Sequence, residues 1–509
     1  MSGTLTQAPK HSMSHRAAAA APTSSDHLIH IPRAPRWTTP NILRTAAAAV
    51  GAAALIAAVV TAGAASDARS RITAVAGTDA PSVRATEDFL FQLQDMDAQL
   101  LNALLANGDA TVHVPQANSE SLYERDRRAA DGDLEAATTA LAGDKDALDQ
   151  LHSVADVFGQ YQAQAVRTLA DDEGQTEAGK APGIVVADYL AAHEILFGGD
   201  DKGGLMRTAL GLEQSSAAAI DDSASSAQDS LSSVRLGFIL FGVLLLGGVV
   251  ALQLFLSARF QRMVSPALAA AAVAALVFMI GGASAAAGAA KDFHSAKSDA
   301  FDSVLALGRA KALSSGANAD ESRWLLVHDQ PGQQARFEAS FLAASQGVAG
   351  EPATDLAGYE SLIHAEAAAV DEQGLFAETL DRASGFGREF RNITYPSEGV
   401  LAVNAFDDYD RYLQDDARLR TLPLATPQDL KAAVDFDTNA DTPGTSDQAF
   451  TAYAKDLDAV IDLNQAQFDK LMPAARDRIG SCTWLPYPLA VLVIGLTALG
   501  VRTRLNEFR

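Results

Sequence analysis

Residues 236–290 read LGFILFGVLLLGGVVALQLFLSARFQRMVSPALAAAAVAALVFMIGGASAAAGAA, a sequence that is apolar over almost its whole length. Two apolar segments within it, 236–258 and 267–290, contain no Asp, Glu, Lys or Arg. Each is long enough to cross a bilayer as a helix. Because only the basic turn 259–266 separates them, the two helices are expected to lie side by side. The stretch therefore predicts a membrane protein built around an antiparallel pair of spans.

Two further apolar segments without charged residues complete the pattern, at 45–65 and 484–501. Two long polar regions, 66–235 and 291–483, lie between the first and second spans and between the third and fourth. Since each region is bounded by two spans, both are predicted to lie on the same side of the membrane. The other side is left with residues 1–44, predicted to be disordered, the turn and the tail 502–509.

Charge placement predicts which side is which. Basic residues mark the short segments, including Arg259 and Arg262 in the turn and Arg502 and Arg504 in the tail. In contrast, residues 66–234 hold 29 Asp and Glu against 11 Lys and Arg, and residues 291–480 hold 32 against 17. Lys and Arg excess in short loops marks the cytoplasmic side. We therefore expect a multi-pass cell-membrane protein with both termini cytoplasmic and both polar regions extracytoplasmic. A cleaved signal peptide is the alternative for 45–65, but both the leader and the apolar run are long for one.

The composition argues against several functional classes. A formal net charge of −24 is unfavourable for binding nucleic acid. The single cysteine, Cys482, provides no intrachain disulfide framework. Zinc spacings, phosphate-binding glycine loops and nucleophile elbows are not found. His193-Glu194 begins like a metalloprotease helix but lacks the second histidine, so a partly exposed helical histidine is the favoured interpretation. The sequence predicts neither enzymatic activity nor a cofactor.

Both polar regions are predicted to be helical, because they are rich in alanine with apolar residues at three- and four-residue steps. The fold class is therefore an all-α integral membrane protein, with two extracytoplasmic helical bundles of chemoreceptor-sensor type in tandem. No breaker separates the first and last helices of each region from the neighbouring span, so these helices should continue into the membrane as rods. A loop is predicted over residues 422–445. Gly281 and Gly282 each begin a series of small residues at four-residue steps, which favours close packing of the spans.

The densest polar and aromatic cluster lies in the predicted helix around residues 317–326. Two interpretations remain open. The acidic residues and Arg323 could form a solvated face with Trp324 packed inside the bundle, which is favoured, or the cluster could contact a partner or ligand. The candidate contact residues are Asn318, Asp320, Glu321, Arg323 and Trp324.

A second cluster spans residues 387–398, where a proline ends a predicted helix. Arg388 and Arg391 lie three residues apart, on nearly one helix face, and two guanidinium groups can clamp a carboxylate such as that of an amino-acid ligand. Pairing of these arginines with neighbouring acids is the favoured alternative. Asn392 and Tyr395 are further candidates for partner or ligand contacts.

A third cluster has the oxygen spacing of a calcium-binding loop, at Asp435, Asp437, Asn439 and Asp441. However, Ala440 stands where the loop needs glycine, and Ser446 stands where a bidentate glutamate should close the site. A solvated acidic loop is therefore favoured, and no metal site is predicted. These four residues remain only a weak candidate for binding calcium.

The stretches N-A-D-E-S-R-W-L-L at residues 318–326 and R-N-I-T-Y-P-S-E at 391–398 resemble motifs of actinobacterial four-span membrane proteins of the GlnX type. The resemblance covers residues 40–509 in architecture. It implies a relay in which an extracytoplasmic solute-binding lipoprotein binds glutamate or aspartate. The membrane protein would then pass that state to a soluble Ser/Thr kinase of the PknG type.

The layout itself also favours sensing, because rods that cross a membrane can carry movement from one side to the other. The predicted function is thus a non-enzymatic signal relay that contacts the bilayer, a lipoprotein and a cytoplasmic kinase, with homo-oligomerisation possible. Arg259, Arg262, Arg502 and Arg504 are the candidate cytoplasmic coupling residues. The alternatives are a cell-envelope scaffold or adhesion protein, a receptor that binds its ligand directly, and a transporter. The transporter is disfavoured because the spans carry few polar groups beyond Gln253.

Overall fold

The regular structure is helical throughout the residues that the computed structural model describes, which are 39–198, 203–260, 264–370 and 380–505. We number the α-helices α1 to α15 and name two π-helical segments π1 and π2. Their order is α1 (Thr39–Ala74), π1 (Val75–Asp79), α2 (Ala80–Ala106), α3 (Gln116–Ala140), α4 (Lys145–Asp171), α5 (Gly183–Phe197), α6 (Leu205–Phe260), α7 (Pro266–His294), π2 (Ser295–Phe301), α8 (Asp302–Leu326), α9 (Pro331–Ala349), α10 (Leu356–Ala367), α11 (Gly385–Glu389), α12 (Glu398–Leu419), α13 (Pro427–Thr438), α14 (Ser446–Trp484) and α15 (Pro486–Leu505).

Four long helical rods form the frame of the molecule, and each contains one stretch long and apolar enough to cross a membrane. They run Thr39–Ala106, Leu205–Arg259, Pro266–Leu326 and Ser446–Thr503, with lengths of 68, 55, 61 and 58 residues. At 1.5 Å per residue, the longest extends about 100 Å, far more than a bilayer needs. The prediction of an all-α protein is confirmed for the described residues, and all four predicted spans lie in helices that are long and apolar enough to cross a membrane and that continue into the polar regions.

The four apolar stretches pack in a ring, in which α1 contacts α6 and α15, and α7 contacts the same two helices. Large apolar side chains on the outside of this ring, such as Leu240, Leu254 and Val491, are exposed. Such a belt suits contact with lipid. On the inside, glycine allows close approach: a Cβ added to Gly282 would lie 2.1 Å from the Phe238 ring, whereas one added to Gly281 would meet nothing within 4 Å. Only the Gly282 face of α7 therefore packs closely against α6.

Two rods change helical pitch shortly beyond the apolar stretch. The first contains π1 between α1 and α2, and the third contains π2 between α7 and α8. A π-helical turn inserts an extra residue and frees backbone carbonyl groups from the regular α-helical pattern. The two segments occupy corresponding places in the two halves of the chain, which fits an internal repeat.

The helices beyond the apolar stretches form what we call the polar body: α2 to α5, α8 to α13 and the adjoining parts of α6 and α14. Its halves are not separate in their packing, because α2 contacts α8 along much of its length. One hydrophobic core contains Phe89, Leu104 and Tyr189 from the first polar region together with Leu325 and Phe436 from the second. The two predicted regions therefore share a core. Their extracytoplasmic location stays a prediction from charge placement.

The predicted loop at 422–445 contains a helix, α13, so that prediction is wrong for its central part. Thr426 caps α13: its side chain accepts from the Asp429 backbone, and the Asp429 side chain accepts from the Thr426 backbone. This reciprocal pair is a capping box, followed here by proline at the first helical position. Leu430 and Val434 then pack inward. The sequence Thr-Pro-Gln-Asp carried the signal, but the surrounding prolines and glycine favoured a loop.

Candidate functional site

Arg323 lies at the centre of a buried polar cluster that joins the two halves. Its Nη2 lies 2.5 Å from Asp97 Oδ2, its Nε donates to the Tyr189 hydroxyl at 2.8 Å, and its Nη1 forms an ion pair with Asp320. Tyr161 and Tyr189 donate to the two Asp97 oxygens at 3.2 and 3.0 Å. We call these five residues the Arg323 hub. They come from α2, α4, α5 and α8, so the hub ties four helices together.

Burial gives the hub its electrostatic character. Arg323 is 1% exposed and Asp97 is 0% exposed, so their charges are removed from water. Desolvation raises the pKa of Asp320, while the adjacent guanidinium of Arg323 opposes that rise. Burial and the Asp97 carboxylate raise the pKa of Tyr161 well above its usual range. Both tyrosines therefore remain protonated donors, and the hub is held by charge-assisted hydrogen bonds in a dry environment.

A cavity of about 370 Å³ lies beside the hub, at the seam between the halves. This volume lies within the range of small-molecule sites. We call it the seam cavity. The first half supplies Glu87, Leu90 and Gln94 from α2, Phe197 from the end of α5, and Met206, Leu210 and Glu213 from α6. The second half supplies Gly308, Arg309, Ala312, Leu313, Gly316, Asp320 and Arg323 from α8, with Ser340, Ala343 and Ala344 from α9.

Both halves contribute polar groups to the seam cavity. Arg309 Nη2 donates to Glu213 Oε2 at 2.7 Å, which pairs those two charges. Glu87 and Gln94 are 8% and 6% exposed, and the Oε1 atom of each has no hydrogen-bond partner. Burial, followed by repulsion from Glu213 and Asp88, raises the pKa of Glu87 well above its usual range. The cavity therefore combines an apolar interior with two unsatisfied acceptors, one of them a carboxyl group favoured in its neutral form.

Two glycines in α8 let the Glu87 and Gln94 side chains of α2 lie close to the α8 backbone. A Cβ at Gly308 would lie 3.1 Å from Glu87 Oε2, and a Cβ at Gly316 would lie 3.0 Å from Gln94 Nε2. These glycines therefore allow α2 and α8 to approach until the α2 side chains reach the α8 backbone. Glu87 and Gln94 therefore line the seam cavity and also form part of the contact between the two halves.

The cluster predicted at residues 317–326 lies at this seam, and its solvated-face interpretation is wrong. Asp320, Glu321 and Arg323 are each at most 1% exposed, because α8 is packed on several sides. Trp324 is half-buried and faces the Arg420 guanidinium, whose carbon lies 5.5 Å from the ring centroid. Asn318 is also half-buried. The role of these residues in contacting a partner or ligand stays a prediction.

Behind the hub, Glu321 belongs to a second buried cluster. It accepts a hydrogen bond from Ser446 Oγ at 2.7 Å, and it lies close enough to the Asp416 carboxyl group to feel its charge. Burial and repulsion from Asp416 raise the pKa of Glu321 well above its usual range. Glu321 is therefore the protonated partner, while Asp416 pairs with Arg420 at 2.8 Å. This cluster fixes α12 and α14 against α8.

The predicted carboxylate clamp at Arg388 and Arg391 has other contacts. Arg388 pairs with Asp302 at 3.3 Å, which matches the favoured alternative for that residue. Arg391 donates to the backbone carbonyls of Gly387 and Leu380, at 2.5 and 2.8 Å. The two guanidinium groups therefore contact separate parts of the chain.

Asn392 and Tyr395 hold the π2 segment. Asn392 Nδ2 lies within hydrogen-bonding distance of the Ser298 and Asp299 carbonyls, at 3.1 and 3.0 Å. The Tyr395 hydroxyl donates to the Ser295 carbonyl at 3.0 Å. Carbonyl groups that the π-helical turn leaves free are thereby satisfied. In the structure these side chains stabilise a rod.

The calcium candidates contact protein groups instead of converging on one point. Asp437 accepts from Ser322 Oγ at 2.7 Å, and Asp435 accepts from the His113 backbone at 2.6 Å. Asn439 Oδ1 accepts from the backbone of Asp441, which closes a turn. No group of three or more metal-ligating side chains occurs among the described residues.

The coupling candidates lie at the ends of rods. Arg259 is exposed in the last turn of α6, and Arg502 is exposed in α15. Arg262 and the side chain of Arg504 lie outside the described residues. The predicted coupling role of all four stays a prediction.

Several central residues were missed from the sequence. Asp97 lies on the same helix face as Leu90, Leu93 and Leu104, at steps of seven, four and seven residues. A lone charge on an apolar face was the available signal for a buried partner. His193, predicted to be partly exposed, is 7% exposed and its ring packs against those of Phe197 and Phe337. Burial, followed by the positive charges of Arg323 and Arg336, lowers its pKa well below the usual range.

Comparison with known proteins identifies one related domain. Residues 71–225 match the family model of an actinobacterial sensor domain. No curated protein matches the chain, and no solved structure does. The matched segment includes α2 to α5 and the first part of α6, so it supplies the Asp97, Tyr161 and Tyr189 members of the hub and one wall of the seam cavity. The match indicates a sensor or signalling role, and the prediction of a sensor-type actinobacterial protein is confirmed at that level.

Proposed function

We propose that the chain is a transmembrane signal-relay protein that senses on one side of the membrane and acts, without chemistry of its own, on a separate protein at the other. The observation that carries the proposal is the continuity of the four rods. Each joins an apolar stretch to the polar body without an intervening loop. A change in how the polar body packs would therefore move the membrane end of a helix by rotation, tilt or sliding.

The polar body offers a place where such a change can start. α2 and α8, which continue the first and third rods, meet at the Arg323 hub and at the seam cavity. A ligand or partner that binds one arrangement of this seam more tightly than another shifts the population of arrangements. The matched sensor domain covers one side of the seam, which supports sensing at this place.

The resemblance to GlnX-type proteins gives the proposal its partners. In this form of the proposal, a solute-binding lipoprotein reports extracytoplasmic glutamate or aspartate to the polar body. The membrane ends of the rods then contact a cytoplasmic Ser/Thr kinase. Arg259 and Arg502 support such a contact, because both are exposed at rod ends and can pair with acidic side chains.

In-cell photo-crosslinking tests the relay. A photoreactive amino acid replaces Arg259 or Arg502 in the full-length protein, and the matched control carries it at Leu240, an exposed apolar position of α6. We expect a Ser/Thr kinase to be recovered from the two rod-end positions and not from position 240. Recovery of no cytoplasmic protein at either rod end would overturn the relay.

A further inference from the structure

The charges around the seam cavity disfavour the binding of a dicarboxylic amino acid. Both guanidinium groups in its lining already have carboxylate partners: Arg323 pairs with Asp97 and Asp320, and Arg309 pairs with Glu213. A bound glutamate would add carboxylates to a cavity that also contains Glu87. Without an unpaired cation to receive them, those charges would be buried at high cost.

The unsatisfied groups point to the opposite chemistry. Glu87 Oε1 and Gln94 Oε1 are acceptors, both more than nine-tenths buried and both without a hydrogen-bond partner. They lie seven residues apart on α2, which separates them by about 10 Å along the helix axis, so each offers a separate point of contact. A primary ammonium group supplies three donors and a positive charge, so it suits Glu87, the unsatisfied group that can carry the opposite charge.

The rest of the lining sets the body of the ligand. Leu90, Leu210, Ala312 and Leu313 are aliphatic, and Phe197 and Met206 add an aromatic ring and a thioether. A hydrocarbon or aromatic body removes this surface from water, with a gain of about 25 cal/mol for each Å² buried. A hydrophilic ligand such as glutamate would bury this apolar surface against polar groups and would not gain that free energy.

We infer that the seam cavity binds a small primary amine with an apolar body, held by Glu87 through its ammonium group. This inference deepens the proposed function and rests on it for its consequence: the amine would be a direct ligand of the sensor. Because the cavity wall comes from α2 and α6 on one side and α8 and α9 on the other, the bound amine would stabilise one packing of two rods.

Amine binding should change the protonation state of Glu87. Glu87 faces Glu213 of α6, Asp88 and Arg84 of α2 and Arg309 of α8, and the acidic neighbours together with burial favour its neutral form. When the ammonium group arrives, the Glu87 carboxyl loses its proton to solvent and the resulting carboxylate pairs with the cation. Binding therefore releases a proton, and the affinity rises with pH until Glu87 is ionised without ligand.

Calorimetry on the full-length protein in lipid nanodiscs tests the inference, with phenethylamine as the probe. The comparison ligands are 2-phenylethanol, which has the same body without the charge, phenylacetate, which has the opposite charge, and L-glutamate. We expect phenethylamine to bind at least tenfold more tightly than the others and to release protons, seen as a dependence of heat on the buffer's ionisation enthalpy. Tighter binding of phenylacetate or glutamate than of the amine would overturn the inference.

Three variants separate the site from folding. Glu87→Gln removes the charge and should weaken amine binding about 10- to 100-fold, the value of a charge-assisted hydrogen bond. Ala312→Leu fills the cavity without touching Glu87 and should also weaken it, which keeps the test valid if Glu87→Gln fails to fold. Glu135→Gln, on the exposed face of α3, is the matched control and should bind normally. Amine affinity unchanged in both cavity variants would refute the assignment.

The consequence for signalling has its own readout. Cysteines at Gly51 and Ile494, which contact each other between α1 and α15, report the packing of the apolar stretches in a Cys482→Ser background. We expect phenethylamine to change their disulfide-formation rate. Binding without such a change would overturn the relay and leave the amine site standing. Kinase recovery at the rod ends without amine binding would overturn the amine site and leave the relay standing.

Discussion

Replacing Arg323 tests whether the hub joins the two halves. Arg323→Met keeps most of the apolar side chain but leaves Asp97 and Asp320, which are 0% and 2% exposed at the side chain, without their cation. Breaking a buried ion pair from one side destabilises by about 3–5 kcal/mol, because an uncompensated charge remains in a low-dielectric site. We expect that loss in the free energy of unfolding of the polar body.

Arg127→Met is the matched control, because Arg127 also contacts two carboxylates. It lies 3.0 Å from Glu124 and 2.8 Å from Asp131, but its side chain is 28% exposed and its partners are about half exposed. Ion pairs of that kind contribute about 0–1 kcal/mol. The two substitutions therefore remove the same number of ion pairs at very different burial.

The assay is urea unfolding of the full-length protein in lipid nanodiscs, followed by circular dichroism. A third variant combines Arg323→Met with Asp97→Asn and Asp320→Asn, so that no charge is left unpaired, and it should regain most of the lost stability. A loss for Arg323→Met no larger than that for Arg127→Met would refute the reasoning. So would a triple variant no more stable than Arg323→Met alone.

Three further predictions concern other contacts. Burial and repulsion from Glu398 raise the pKa of Glu389 to about 8, so the folded state holds a proton that the unfolded state loses near pH 4.5. The free energy of unfolding should therefore fall as the pH rises between those two values. Glu389→Gln should flatten this fall in a pH series of unfolding measurements. Gly282→Ala should lower the melting temperature in detergent, since overpacking against Phe238 costs about 1–3 kcal/mol, whereas Gly281→Ala should not; equal effects would contradict the assigned contact face. Asn392→Ala should speed amide hydrogen exchange in residues 295–303, because the freed π2 carbonyls lose their donor, and unchanged exchange there would refute the stabilising role.

The rods were predictable because their signals are local. Absence of charge over about 20 residues predicts a span, and absence of a turn-rich stretch between span and polar region predicts continuity. The end of the first rod also has a local signal, because α2 ends at Ala106, Asn107 adopts a left-handed conformation and a glycine follows it at position 108. The π-helical segments were not predictable in this way, because their sequences resemble those of ordinary α-helix and depend on partners such as Asn392 that lie about 90 residues away.

The hub was only half predictable, and the missing half follows from a physical rule. Arg323 was found because it lies in a dense polar cluster, but its partner Asp97 is 226 residues distant. Asp97 lies between Met96 and Ala98, on the helix face that also carries Leu90, Leu93 and Leu104. An unpaired charge on an apolar face is buried only at high cost, so Asp97 requires a cation from another helix. Arg323 supplies that cation, so the ion pair brings α2 and α8 together. The two polar regions, which look separate in sequence, therefore share one core.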